Sequence, residues 1–263
     1  MKNPVVALLT DYGLRDTYVA ELKAVLLKFR TDLIFVDISH DIQPFNILQG
    51  AFLLKLAAKS FPNHTIFIAV VDPTVGSKRD GIALFTKSGK IFVGPDNGLL
   101  APAAKTEGID RTFRIKTEGI PHVSPTFHGR DVFAYLVGHL IAGKDFQHLV
   151  ETKTELTDLN IPKPTKNSDH IEAVILHVDR FGNAITNIEG PLPDDWSFAE
   201  IVVNDKHIEK VKKAKTYADV QPKEPLLVVG GTGYTEIALN QGNAAQTFGL
   251  SPGDVVKIFK NRP

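Results

Sequence analysis

The chain has 263 residues, 43% hydrophobic and 23% charged, an ordinary globular composition that excludes a disordered, collagen-like or low-complexity protein. Thirty Lys and Arg balance thirty Asp and Glu, so no bulk field draws in nucleic acid or an anionic membrane. There is no cysteine, which removes disulfides, thiolate nucleophiles, zinc ribbons and iron–sulfur clusters.

The chain opens on a five-residue apolar run before Asp11, too short for a signal-peptide core. No apolar run nears the ~20 residues that cross a bilayer. A soluble cytoplasmic protein is expected. Residues 5–10 read as a strand buried on both faces. Helical spacing over 18–29 follows, with Val19, Leu22, Val25 and Leu26 on one side. A strand at 33–38, a helix at 49–58 and a third buried strand at 65–71 continue the alternation. Residues 82–86 and 90–93 form a predicted hairpin across Lys87-Ser88-Gly89, 97–104 a short helix start, and 129–142 an amphipathic helix. Strands separated by helices imply a three-layer α/β domain over 1–160 with a mostly parallel sheet. Residues 161–169 carry two prolines and no apolar period, and read as a linker. Beyond it the pattern changes to short strands at 171–178, 185–188, 200–203, 206–211, 226–229, 235–239 and 255–259, with no long helix. That spacing predicts a smaller all-β, barrel-like domain over 170–263.

Acid collects just after the buried strands. Asp11 ends the first, with Asp16 five residues on; Asp37 ends the second, near His40 and Asp41; Asp72 ends the third. Ligands of open α/β sheets bind outside the carboxyl ends of strands, so these carboxylates would line one crevice. Strand-end aspartates also cap helices and turns, and for any one of them the two readings stand level. The loop after the first strand has one glycine and two acids where a dinucleotide fingerprint has three glycines, and there is no phosphate-binding loop. Carboxylates repel phosphate and suit ribose hydroxyls or a cation.

Three further clusters stand out. Pro125-Thr126-Phe127-His128-Gly129-Arg130-Asp131 places His128 at a loop-to-helix joint. Asp179-Arg180-Phe181-Gly182-Asn183 sets an aromatic beside an amide, a pair that stacks on a purine and bonds its edge, or simply forms a turn. Gly230-Gly231-Thr232-Gly233-Tyr234 offers backbone N–H groups to a carboxylate, or is a hairpin turn.

These clusters together resemble the S-adenosyl-L-methionine (SAM) hydrolases, or SAM hydroxide adenosyltransferases, relatives of the fluorinase and chlorinase enzymes. The landmarks run in order through the chain: Thr10 to Asp16, Val70 to Gly76 with Arg79, Gly94 to Leu100, Pro125 to Arg130, Asp179 to Asn183 with Thr186-Asn187, and Tyr217 to Asp219. The resemblance implies hydrolysis of SAM to adenosine and L-methionine, with no cofactor and no metal. It implies a homotrimer whose sites lie between one subunit's N-terminal domain and its neighbour's C-terminal domain. The family's Asp–Arg–His triad falls on Asp72, Arg79 and His128. Ribose binding falls on Asp11, and Phe45 stands where the fluorinase has a tryptophan near the ribose. Asp16 and Asp179 match the positions that hold the methionine amino group. Phe181 and Tyr217 match adenine-stacking positions, Asn183 an adenine hydrogen-bonding one, and Phe127 joins the substrate-binding set. Gly231 and Thr232 stand where the fluorinase holds the methionine carboxylate with a Ser-Arg pair. The halide-binding serine of the fluorinase is Gly129 here, and its tyrosine is Asp72.

Two rivals deserve weighing. A metal-dependent phosphoesterase would use Asp11, Asp37, His40, Asp72 and His128 as ligands. A non-catalytic SAM or adenosine binder would leave Asp72, Arg79 and His128 unexplained.

Overall fold

The computed structural model describes residues 3–204 and 206–260, so the predicted domain ends at 1 and 263 lie outside the described residues. The chain divides into two compact units, Met1–Asn160 and Ile161–Pro263.

The first unit runs β1 (Val5–Thr10), α1 (Tyr18–Leu27), β2 (Ile34–Ser39), α2 (Ile47–Ala58), β3 (Ile66–Val70), β4 (Gly81–Thr86), β5 (Ile91–Pro95), α3 (Ala101–Thr106), β6 (Ile109–Ile115), a π-helical turn (Gly129–Phe133), α4 (Ala134–Ile141) and β7 (Val150–Thr152). The sheet order is β2-β1-β3-β5-β4-β6-β7. β2, β1, β3, β5 and β6 run one way, β4 and β7 the other. Alternate side chains feed two separate cores. Val6, Leu8, Ile66 and Ile68 pack with Leu22 and Leu26 of α1 and Leu136 of α4. Ala7, Leu9, Phe67 and Ala69 pack with Leu54 of α2 and Ala103 of α3. A strand with helices on both faces must be apolar at every position, which is why β1 and β3 read as unbroken runs.

Local side chains explain where elements start. Asn46 caps α2 by accepting the Gln49 N–H at 3.0 Å, so the helix begins at Ile47, ahead of the predicted 49. Asn97 instead brackets its own loop, donating Nδ2 to the Val71 carbonyl at 2.9 Å and accepting the Leu99 N–H at 3.2 Å; α3 therefore starts only at Ala101. The predicted helix over 129–142 is π-wound through its first five residues.

β1 is the topological pivot. Its two sheet neighbours, β2 and β3, lie on opposite sides, and α1 and α2 cover opposite faces. The crevice of a doubly wound sheet opens there, at the carboxyl ends of β1 and β3. Asp11 directly follows β1 and Asp72 lies two residues past β3.

The second unit contains β8 (Thr165–Lys166), β9 (His170–Val178), β10 (Ala184–Glu189), β11 (Phe198–Val203), β12 (Lys206–Lys213), a 3₁₀ turn (Tyr217–Asp219), β13 (Pro225–Val229), β14 (Tyr234–Leu239), α5 (Ala244–Phe248) and β15 (Val255–Lys260). Strands order as β10-β14-β13-β12-β11-β15-β9, and β9 pairs back to β10, closing a seven-stranded barrel around Ile175, Ile201, Leu227, Ile237 and Ile258. β12 and β13 pair in parallel; the other strand pairs described in this unit are antiparallel. The segment read as a linker contributes β8, which pairs with β9 through Thr165 and Glu172, so its chain continues the second sheet. Among the described residues no helix is long and apolar enough to cross a membrane.

Candidate functional site

In the first unit a cavity of about 420 Å³ opens at the pivot, lined in part by Asp11, Tyr12, Phe45, Asp72, His128 and Gly129. Asp72 and Arg79 form a bidentate ion pair. Arg79 Nε donates to Asp72 Oδ1 at 3.0 Å and Nη2 donates to Oδ2. The side chains are 5% and 9% exposed, so water screens the pair little. Thr74 Oγ1 adds a long donation to Asp72 Oδ1 at 3.4 Å. Arg79 Nη2 also reaches His128 Nδ1, at 3.1 Å. Burial, then the neighbouring guanidinium, hold the His128 imidazole below its ordinary value of 6.5, against the opposing pull of Asp72 and Asp131.

Asp11 Oδ2 accepts the Phe45 N–H at 3.0 Å. Burial pushes the Asp11 carboxyl up, the hydrogen bond from Phe45 opposes it, and the Asp72 charge adds to the rise. Phe45 holds a left-handed backbone, φ 68°, and is 69% exposed. A bulky residue there carries strain of order 1–3 kcal/mol, and such strain collects at ligand-binding loops. The loop that carries Asp11 is pinned from below. Thr10 Oγ1 lies 2.8 Å from His40 Nδ1 and accepts the Tyr12 N–H at 3.2 Å, while the His40 carbonyl accepts the Gly13 N–H at 2.8 Å.

Three predicted residues of the first unit lie outside the cavity lining: Arg79, which bonds to the lining residues Asp72 and His128, and Asp16 and Phe127. Asp16 is exposed in the turn before α1. The Phe127 ring packs edge-on against Tyr12 and Tyr18, with the Arg130 guanidinium over its face at 4.7 Å. Tyr12 and Tyr18 line the cavity as well; Tyr12 lies inside the first landmark, but neither carries a role in the sequence reading. Tyr12 sits against Gly129 so closely that a Cβ at 129 would overlap its hydroxyl. The metal-ligand set considered from sequence does not assemble. His40 is committed to Thr10 and lies beside Asp37, Asp72 is committed to Arg79, and no cluster of three or more His, Asp or Glu able to hold a metal occurs among the described residues.

The second unit has its own constellation. Asp179 Oδ1 accepts the N–H groups of Phe181 and Asn183, both at 2.9 Å, and Oδ2 accepts Asn183 Nδ2 at 3.0 Å. Tyr217 Oη lies 3.5 Å from the same Nδ2 and donates to Glu236 Oε2 at 2.8 Å. Phe181 is 75% exposed, a large apolar side chain left open. Gly231 and Thr232 form the hairpin joining β13 to β14, closed by Gly230 N–H to the Tyr234 carbonyl at 3.0 Å. In this unit Glu236 is a residue that the sequence motifs do not mark. It is 3% exposed, and its carboxyl is raised by burial, eased by the Tyr217 hydroxyl and raised again by Asp179. Its only sequence signal is a lone acid in an apolar strand.

Comparison with known proteins joins these two constellations to one group. Residues 6–150 match the SAM hydroxide adenosyltransferase N-terminal domain and residues 173–257 the C-terminal domain. A protein of Methanocaldococcus jannaschii named (R)-S-adenosyl-L-methionine hydrolase is 34% identical, over 97% of this chain and 95% of its own. A fluorinase of Actinopolyspora mzabensis is 24% identical, over 98% of each chain. The crystal structure of an uncharacterized conserved protein from Thermotoga maritima superposes with a TM-score of 0.87 at 33% identity, over 97% of this chain and 99% of that one. With both domain descriptions matched in order and a third of the residues shared over nearly the full length, the chain belongs to the SAM hydroxide adenosyltransferase family.

Proposed function

We propose that the protein hydrolyses S-adenosyl-L-methionine to adenosine and L-methionine by attack of water on the ribose 5′ carbon. The observation that carries this reading is Asp72 and His128 sharing one cavity with Asp11, with Arg79 hydrogen-bonded to both Asp72 and His128. Two carboxylates facing one guanidinium leave a formal surplus of negative charge, suited to a sulfonium cation.

The chemistry asks little of the protein. The oxygen of water bonds to the 5′ carbon, the carbon–sulfur bond breaks, and its electron pair stays on sulfur as a neutral thioether. The leaving group needs neither a proton nor a Lewis acid. What remains is to hold one water in line and take its proton. Arg79 can only donate, so His128 Nδ1 is the acceptor of their contact and the neutral ring carries its proton on Nε2. His128 is then a donor to the water oxygen. Asp72 keeps lone pairs beyond those used by Arg79 and accepts the water proton. Positioning contributes up to ~7–11 kcal/mol in favourable cases, and the acid–base group a further ~10²–10⁴-fold.

In this reading Asp11 binds the ribose, Phe45 covers it, and Phe181, Asn183 and Tyr217 take the adenine. Asp16 and Asp179 hold the methionine amino group, and the Gly231–Thr232 hairpin its carboxylate. A cytoplasmic homotrimer with sites shared between neighbours belongs to the same proposal, and rests on the family resemblance. Incubation with SAM, resolved by chromatography, tests the reading: adenosine and methionine are expected in equal amounts. A folded protein that releases neither overturns it.

A further inference from the structure

Glu236 sits on β14 with its carboxylate beneath the hairpin that follows β13. A Cβ at Gly230 would overlap Glu236 Oε1, so the glycine is what gives the carboxylate its place. From there Oε2 takes the Tyr217 hydroxyl proton at 2.8 Å. A phenol has one proton. Once it is given to Glu236, the oxygen can only accept from its other neighbour, Asn183 Nδ2 at 3.5 Å. The same nitrogen donates to Asp179 Oδ2 at 3.0 Å, and Asp179 is an acceptor throughout, since its Oδ1 already takes two backbone N–H groups. Carboxylates therefore stand at both ends of the chain Glu236–Tyr217–Asn183–Asp179. Both protons of the Asn183 amide run inward, and Oδ1 is the atom left over for a ligand.

We propose that Glu236 is a positioning residue that, through Tyr217, fixes the Asn183 amide with its oxygen presented, so that this pocket takes purine nucleosides bearing a 6-amino group in preference to 6-oxo ones. A 6-amino group donates to that oxygen. A 6-oxo group sets oxygen against oxygen and leaves a desolvated acceptor unpaired. The inference rests on the reading that the adenosyl group binds at Phe181, Asn183 and Tyr217.

The test is the ratio of inosine to adenosine dissociation constants, measured by calorimetry on the intact protein. The wild type is expected to favour adenosine by about ten- to a hundredfold. Tyr217→Phe, which keeps the ring, and Glu236→Leu, which keeps the bulk, should each shrink that ratio about fivefold or more. The double variant should shrink it no further than either single one, because Glu236 acts through the hydroxyl. A mere loss of packing would weaken both nucleosides alike and leave the ratio in place. A ratio within twofold of wild type in Tyr217→Phe overturns the inference, whether or not Glu236→Leu folds, as does an additive drop in the double variant. Wild type that binds neither nucleoside overturns the functional reading itself, whereas tight adenosine binding with an unmoved ratio overturns this inference alone.

Discussion

Arg79 Nη2 stands 3.1 Å from His128 Nδ1, a cation donating to an imidazole that must be neutral to receive it. Protonating His128 would place two positive charges in contact. The lowered imidazole value follows from its burial and from this contact. A lowered value means that the proton binds only at more acid pH, so the working form persists through neutrality. We predict kcat/KM that is level above neutral pH and falls along an acid limb centred below 6.5. The limb should vanish in His128→Gln. A rate profile from about pH 5 to 9 checks this, and a limb centred above 6.5 would contradict it.

The triad is expected to serve chemistry more than affinity. Asp72→Asn, Arg79→Ala and His128→Ala should each lower kcat by roughly 10- to 10,000-fold. Adenosine binding should change far less, because in the proposed mechanism these side chains hold the water and not the nucleoside. Single-turnover rates alongside adenosine titration separate the two. Loss of affinity in proportion, with bound substrate still turning over, would reverse the assignment.

Gly129 offers a test by added bulk. A methyl group there overlaps the Tyr12 hydroxyl, so Gly129→Ala should cost ~1–3 kcal/mol of stability through overpacking and lower turnover. Adding Tyr12→Phe removes the colliding oxygen and should restore much of both. Urea denaturation of the single and double variants reads the first, SAM turnover the second. A double variant no better than Gly129→Ala would place the damage elsewhere.

Water is expected to be the nucleophile even in high halide. In the proposed mechanism Asp72 sets a carboxylate beside the reaction line, which accepts a hydrogen bond from water and repels an anion, a repulsion that its ion pair with Arg79 reduces. Gly129 has no side chain with which to hold a halide. In ¹⁸O-water the label should appear on the 5′ oxygen of adenosine. High fluoride or chloride should give no 5′-halo-5′-deoxyadenosine, and dialysis against EDTA should leave the rate intact. A halogenated main product, or activity lost to EDTA and restored by magnesium or zinc, would sink the mechanism.

The proposed sharing of sites between subunits makes its own prediction. If neighbours supply Asp179, Asn183 and Tyr217, mixing Asp72→Asn with Asn183→Ala after subunit exchange should regenerate activity. An active monomer seen by light scattering would refute it.

The first unit was legible because burial on both faces forces unbroken apolar runs, and because acids sit where those runs stop. β6 was not. Its Asp110, Arg111 and Arg114 are partly or fully exposed while Phe113 and Ile115 are buried, and so short a charged alternation does not stand out. The π-wound start at Gly129 has no period that distinguishes it from an ordinary helix. Phe127 enters the substrate-binding set on resemblance alone, because the partners its ring packs on, Tyr12 and Tyr18, lie more than a hundred residues away in the chain. Glu236 escaped notice for a similar reason. Its meaning lies in Tyr217, on another segment, and in the missing side chain of Gly230.

The parallel pairing of β12 with β13 has a consequence for how this protein can change. Parallel neighbours cannot be joined by a tight hairpin, so the chain must travel back along the barrel before β13 begins. Tyr217 rides on that return path, held by Asp219, whose carboxylate accepts the N–H groups of Lys215 and Thr216 at 2.9 and 3.0 Å. The Tyr217 ring thus belongs to a strap outside the strand ladder. Doubling the length of such a strap costs only ~0.6 kcal/mol. Libraries that vary this strap but spare Val220, which packs with Leu226 and Val228, should therefore retune nucleoside preference with little change in the barrel's melting temperature.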